Sequence, residues 1–222
     1  MTDASETTGG SATADNDRLV FFSDAVVAIA LTLLALELPV PHGASDAEVW
    51  RAFREHLPDY GMFLLSFAVI AEFWVAHKWL YARIGGFSPR LLWLNFVWLL
   101  GIILVPFATK VLIEESDYQV SAVLYAAVVG GTGLALINTV RHSRAHGLLR
   151  PHAAHDIMRR FQLCLSFPTV TFLLSIPVAF VSLSGAKYSW AAVFVLTTLA
   201  MRWATHPVGD SGREQSPGGA RR

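Results

Sequence analysis

Asp24 stands inside an apolar stretch, Arg18 to Pro41, that reads RLVFFSDAVVAIALTLLALELPVP. Between Leu19 and Leu38 the only polar residues are Ser23, Asp24, Thr32 and Glu37. An ionisable group in a lipid-crossing helix is costly, so it marks a functional or assembly site that faces protein or water. Glu72 and His77 interrupt a second apolar run, and Asn95 lies near the start of a third. Glu72 and His77 resemble a proton relay or a metal pair, but five residues apart on a helix they point about 140° from each other. Asp24, His77 and Asn95 make the better group, because each lies in or near the inner part of one of the first three runs and needs a hydrogen-bond partner. The plainer reading of the same residues is unrelated packing hydrogen bonds.

Other chemistry is poorly served. His142, His146, His152 and His155 fall in one connection, and the 142/146 spacing suits two imidazoles on one helix face. That stretch is rich in arginine and has no cysteine, which disfavours a cation, so no metal site is expected. Gly130, Gly131 and Gly133 look superficially like a phosphate loop, yet no Lys-Ser/Thr follows them, and in an apolar run small residues serve close helix packing. There is no Gly-x-Ser-x-Gly, no carboxylate pair in one run and no dinucleotide fingerprint, so the chain does not read as an enzyme and no cofactor is expected. A potassium filter of the Thr-Val-Gly-Tyr-Gly kind is also missing.

The elements that must position these residues are transmembrane helices. Of the 222 residues, 54% are hydrophobic and 15% charged, too apolar a balance for a soluble domain. Leu19–Leu38 spans roughly 30 Å as a helix, the thickness of a bilayer's hydrocarbon core. Further spans are expected at about Leu57–Tyr81, Leu91–Ile113 (with a kink-permitting Pro106), Val120–Val140, Phe161–Leu183 (with Pro168 and Pro177) and Tyr188–Trp203. The fold class is therefore an all-α membrane protein with six transmembrane helices. Residues 1–17 and 206–222 are expected to be disordered tails flanking a six-helix transmembrane domain over 18–205. The connection His42–His56 suits a short interfacial helix. Cys164 is alone, which excludes an internal disulfide.

Six spans put both termini on one side. If that side is cytoplasmic, thirteen of the seventeen Lys and Arg residues lie inside, and only Arg51, Arg54, Lys110 and Lys187 lie outside. The positive-inside rule chooses this orientation, in the cell membrane with cytoplasmic termini. The formal net charge of zero gives no basic excess that would point to nucleic acid. Within the first span Ile29, Leu33 and Leu36 fall within about 60° of one another, with Phe22 and Arg18 roughly in phase, Thr32 flanking, and Asp24 on the opposite side.

Arg18-x-x-x-Phe22-Ser23-Asp24, followed by AVVAIALTLLALELPVP, resembles the signature of the transmembrane protein 175 family of potassium channels. The resemblance implies a homotetramer in which four copies of the first helix surround the pore, since this chain carries one six-helix repeat where animal members carry two. It further implies a pore narrowed by aliphatic side chains at the positions of Ile29, Leu33 and Leu36. Thr32 beside them would offer hydroxyls to the passing ion. Arg18, Phe22, Ser23 and Asp24 become the motif, held by a polar network that His77 and Asn95 would complete. Potassium is then the permeant ion, preferred over sodium, with proton permeation a further implied property. Partners are other copies of the chain and membrane lipid. The alternatives are a secondary transporter, which predicts repeats and broken helices that the sequence lacks, and a membrane scaffold without conduction.

Overall fold

In a computed structural model the structure describes residues 4–150, 155–182, 185 and 190. Among these residues six helices follow in order: α1 (Ala4–Leu36), α2 (Asp46–Glu55), α3 (Leu57–Tyr81), α4 (Pro89–Glu114), α5 (Gln119–Ala145) and α6 (His155–Ala179). Among the described residues there is no strand beyond one isolated antiparallel bridge, Ile84 with Leu149. Among the described residues five segments are long and apolar enough to cross a membrane: Asn16–Leu36, Leu57–Tyr81, Pro89–Glu114, Gln119–Ala145 and Phe161–Ala179. The sixth expected span, Tyr188–Trp203, lies outside the described residues apart from Trp190, as does the segment 206–222.

α1 is helical from Ala4. Starting a helix costs far more than extending one, so a polar segment attached to a formed apolar helix continues its hydrogen-bond ladder.

The helix boundaries have local causes. Ser45 caps α2 by accepting from the Glu48 amide, and Ser88 caps α4 by accepting from the Leu91 amide at 3.1 Å, with Pro89 at the first helical position. Gly147 takes a left-handed φ of 62° just past the end of α5, where a side chain would be strained. α2 runs into α3 with only His56 between them.

Contacts along the chain fix an antiparallel arrangement. Asn16, Tyr81, Pro89 and Ala145 share one end of the bundle, and Leu36, Leu57, Glu114 and Gln119 share the other. At the Asn16 end, the Gly85 and Gly86 amides donate to the Leu148 carbonyl at 2.8 and 3.1 Å, and the Arg150 amide donates to the Arg83 carbonyl at 2.9 Å. Asn16 joins this clasp by donating to the Gly86 carbonyl at 3.0 Å. α5 is the most enclosed helix, between α4 and α6. Its glycines explain the fit. A methyl on Gly130 would meet Leu173 at 2.6 Å and one on Gly133 would collide with Thr169, whereas Gly131 faces open space. In lipid, where burial gains little over contact with acyl chains, this close approach supplies the van der Waals contact that holds helices together. α1 lies at the margin, resting on α3 and α4 with the rest of its surface uncovered.

Candidate functional site

α1 presents three distinct faces. Leu19, Ser23, Val27, Ala30 and Leu34 recur at helical spacing and are buried against the bundle. Ile29, Leu33 and Leu36 turn away from it, 58%, 46% and 78% exposed, with Phe22 in line above them at 50%. Thr32 is exposed beside this stripe, and its hydroxyl donates to the Ile29 carbonyl at 2.8 Å. Its oxygen lone pairs therefore remain free to face outward as a cation ligand would require. Asp24 occupies the third face, toward α3.

The buried face is fastened by a directional hydrogen-bond chain. The Ser23 hydroxyl donates to the Leu19 carbonyl at 2.8 Å, so its oxygen is free to accept. Asn95 on α4 supplies the donor through Nδ2 at 2.9 Å. Its Oδ1 then faces His77 on α3, 2.8 Å from Nε2. A carbonyl oxygen only accepts, so the proton of the neutral imidazole sits on Nε2 and the Nδ1 lone pair is left bare. All three side chains are 1% exposed. His77 is held flat between Tyr81 and Trp98, each ring centroid 4.2 Å away.

Asp24 belongs to a separate pairing. Its two oxygens take different donors from α3: the Trp74 indole Nε1–H at 2.8 Å and the Lys78 ammonium at 3.1 Å. The structure thus brings Ser23, His77 and Asn95 together and leaves Asp24 one helix face away from them. Arg18 makes no hydrogen bond or ion pair among the described residues. It edges an open groove of about 410 Å³ lined with Leu19, Phe22, Phe87, Leu92 and Phe96, where Phe22 meets Phe96 edge-to-face at 6.2 Å.

Three arrangements escaped the sequence reading. At the Leu36 end, Lys110 on α4 pairs with Glu37 at 2.8 Å, tying α1 beside the last residue of the aliphatic stripe. Ser66, Thr109 and Tyr125 join α3, α4 and α5 in a buried hydroxyl cluster, with Thr109 2.8 Å and Tyr125 3.1 Å from Ser66. At the other end, Arg83 lies over the Trp79 ring at 3.4 Å, and partial burial there lowers the guanidinium pKa from its ordinary value. Of the histidine group, His142 and His146 lie 4.2 Å apart with their rings tilted by 37°, and His142 Nε2 meets the Ser88 hydroxyl at 3.0 Å. No group of three or more His, Cys, Asp or Glu suited to a metal ion occurs among the described residues.

A marginal helix with an uncovered aliphatic stripe, anchored through polar contacts to a bundle of membrane-capable helices, defines a multi-pass helical membrane protein of the channel-like class. The family described as endosomal/lysosomal potassium channel TMEM175 matches residues 18–106. Over 173 residues the chain is 29% identical to a potassium channel of Streptomyces collinus, covering 76% of this chain and 84% of that one. A potassium channel of Chamaesiphon minutus is 27% identical over 196 residues, covering 86% and 94%. The endosomal/lysosomal proton channel TMEM175 of Rattus norvegicus is 22% identical over 200 residues, 80% of this chain and 40% of the rat protein. The fold matches the crystal structure of a lysosomal potassium-selective channel TMEM175 homologue from Chamaesiphon minutus with a TM-score of 0.70, at 24% identity over 87% of this chain and all of that one. Over residues 18–106 the chain is therefore similar to the TMEM175 family.

Proposed function

We propose that the protein is a potassium channel of the cell membrane, assembled as a homotetramer of six-span subunits over residues 18–205. One α1 cannot enclose a pore, so several copies must surround an axis, and closed cyclic symmetry is the simplest solution. The observation that carries this reading is the uncovered stripe of Ile29, Leu33 and Leu36, which contains no polar atom and stays outside the subunit's own packing. Turned toward a shared axis it forms successive aliphatic rings, a constriction that gates by excluding water. Thr32, with outward lone pairs, flanks the rings as a hydroxyl ligand for the dehydrating ion. The relatives named as potassium channels and as a proton channel support potassium, with proton permeation, as the conducted species. The charge asymmetry supports cytoplasmic termini, which sets the Asn16 end inside.

Reconstitution of purified protein into planar bilayers tests this. Unitary current steps that reverse near the potassium equilibrium potential are expected. Slow saturable flux without unitary steps would instead identify a transporter, and silence from folded oligomer would identify a scaffold. Crosslinking in membranes is expected to give a ladder that stops at four.

A further inference from the structure

Three neighbouring side chains carry polar atoms with no hydrogen-bond partner although they are sealed from solvent. They are His77 Nδ1, Tyr81 Oη and Trp98 Nε1. Their residues are 1%, 4% and 1% exposed, and they form one stacked group, with the imidazole between the two aromatic rings. Elsewhere in the core, side chains of the same kind are satisfied. The Tyr125 hydroxyl reaches Ser66 at 3.1 Å, and the Trp190 indole donates to Ser175 at 2.8 Å. A buried polar group left unpaired costs about 1–3 kcal/mol, so three in one group call for an explanation, and an occupant supplies one.

We propose that the His77–Tyr81–Trp98 group is an internal hydration site, holding water that completes the polar anchor of α1. The chemistry of the three atoms selects the occupant. The Trp98 indole can only donate, which repels a bare cation such as potassium. The His77 Nδ1 lone pair, fixed by the Nε2–H bond to Asn95, can only accept, which repels an anion. The Tyr81 hydroxyl does either. A ligand that donates to one neighbour and accepts from another is needed, and water is the small molecule that does both within a core. Among the described residues the same end of the bundle holds three further unpaired buried atoms, Asn16 Oδ1, Ser143 Oγ and Arg144 Nε. Through His77 and Asn95 the hydrated site bears directly on Ser23, and so on the seating of the helix that carries the aliphatic stripe.

The test is radiolytic hydroxyl-radical footprinting of the full chain in lipid nanodiscs, read by mass spectrometry. Radicals generated from bound water label adjacent side chains whatever their surface exposure. Tyr81 and Trp98 are expected to be oxidised several-fold faster than Tyr125 and Trp190, which are equally buried but satisfied by protein. Equal protection of all four would overturn the proposal. Tyr81→Phe gives a second readout because it removes only the hydroxyl. At a hydrated site it breaks a water contact, so the unfolding midpoint in detergent should fall and Trp98 oxidation should drop. A midpoint unchanged or raised, as expected on removing an unpaired hydroxyl from a dry core, would also overturn the proposal.

Discussion

Asp24 on α1 and Lys78 on α3 meet at 3.1 Å, and the same carboxylate accepts the Trp74 indole proton at 2.8 Å. Both donors sit one helical turn apart on α3 and both belong to the same chain. The acid of the Phe-Ser-Asp segment therefore fastens α1 to its own subunit on the side opposite the aliphatic stripe.

The balance between charge and geometry at this site is testable with two substitutions. The ion pair is about half exposed on the lysine side, and pairs of that kind contribute about 0–1 kcal/mol. The indole bond matters more, because Trp74 loses its acceptor when the side chain is truncated. Asp24→Asn keeps an oxygen for Trp74 and should lower the yield of folded oligomer only slightly. Asp24→Ala should lower it clearly, as read by size-exclusion chromatography in detergent. Equal yields from both variants would show that charge alone matters there.

Asn95 joins three helices through one amide, donating to Ser23 and accepting from His77. Asn95→Ala leaves the His77 Nε2–H with no acceptor and Ser23 with no donor, both in a sealed core. The expected cost is about 1–3 kcal/mol, seen as a lower midpoint in detergent unfolding. Asn138, exposed on α5, is the control, and Asn138→Ala should change the midpoint little. A matching loss at both positions would remove the special role of Asn95.

What the sequence disclosed, and what it withheld, follows from how strongly each residue is forced to find a partner. α3 begins and ends where its apolar run does, at Leu57 and Tyr81, because lipid demands an unbroken helix. His77 and Asn95 were legible as partners because unpaired polar atoms in a span are costly, and Ser23 joined them only through the motif it belongs to. Asp24 was grouped with His77 and Asn95 for the first of these reasons. Its true donors were masked because Trp74 passes as an apolar residue and Lys78 as an inside-facing charge near a span end. Ser66, Thr109 and Tyr125 gave no signal, since a lone hydroxyl in a helix can always bond the carbonyl a turn earlier, as Thr109 also does with Val105. The clasp between 83–86 and 148–150 is built from backbone groups, which sequence pattern does not address.

Glycine packing separates two neighbours of identical type. A Cβ on Gly133 would collide with the β-branched Thr169 of α6, and one on Gly131 would meet nothing. Gly133→Ala should therefore destabilise by about 1–3 kcal/mol through overpacking. Gly131→Ala should be neutral or stabilising by up to about 1 kcal/mol, since alanine is the better helix former. Opposite shifts in the thermal midpoint are the expected result, and equal shifts would mean that α5 and α6 do not pack through Gly133.

Orientation is open to a labelling test at two exposed positions on opposite ends of the bundle. Ala47 lies on α2, near the Leu36 end, and Ala82 just past α3 at the other end. With the native Cys164 replaced by Ser, Ala47→Cys should react with a membrane-impermeant thiol reagent added to intact cells. Ala82→Cys should react only after permeabilisation. The reverse pattern would invert the topology derived from the lysine and arginine asymmetry.

The proposed gate is the last and most direct consequence. Ile29, Leu33 and Leu36 are exposed along one line of α1, and nothing in their own subunit covers them. In a ring of four such helices Ile29 comes first from the Asn16 end, two turns below the Arg18–Phe22 groove. A ring of aliphatic groups sets its barrier by the hydration an ion must surrender. Ile29→Asn introduces a polar group in each subunit at little change in size, wetting the ring. Conductance should rise and discrimination between potassium and sodium should weaken. Val26 is half-buried against the core, so a substitution there would also disturb packing. Ala28, exposed and about 100° around the helix from Ile29, is the cleaner control. Ala28→Asn should change current and reversal potential less than Ile29→Asn under a potassium/sodium gradient. A folded, tetrameric Ile29→Asn channel with wild-type current and reversal potential would take Ile29 out of the constriction.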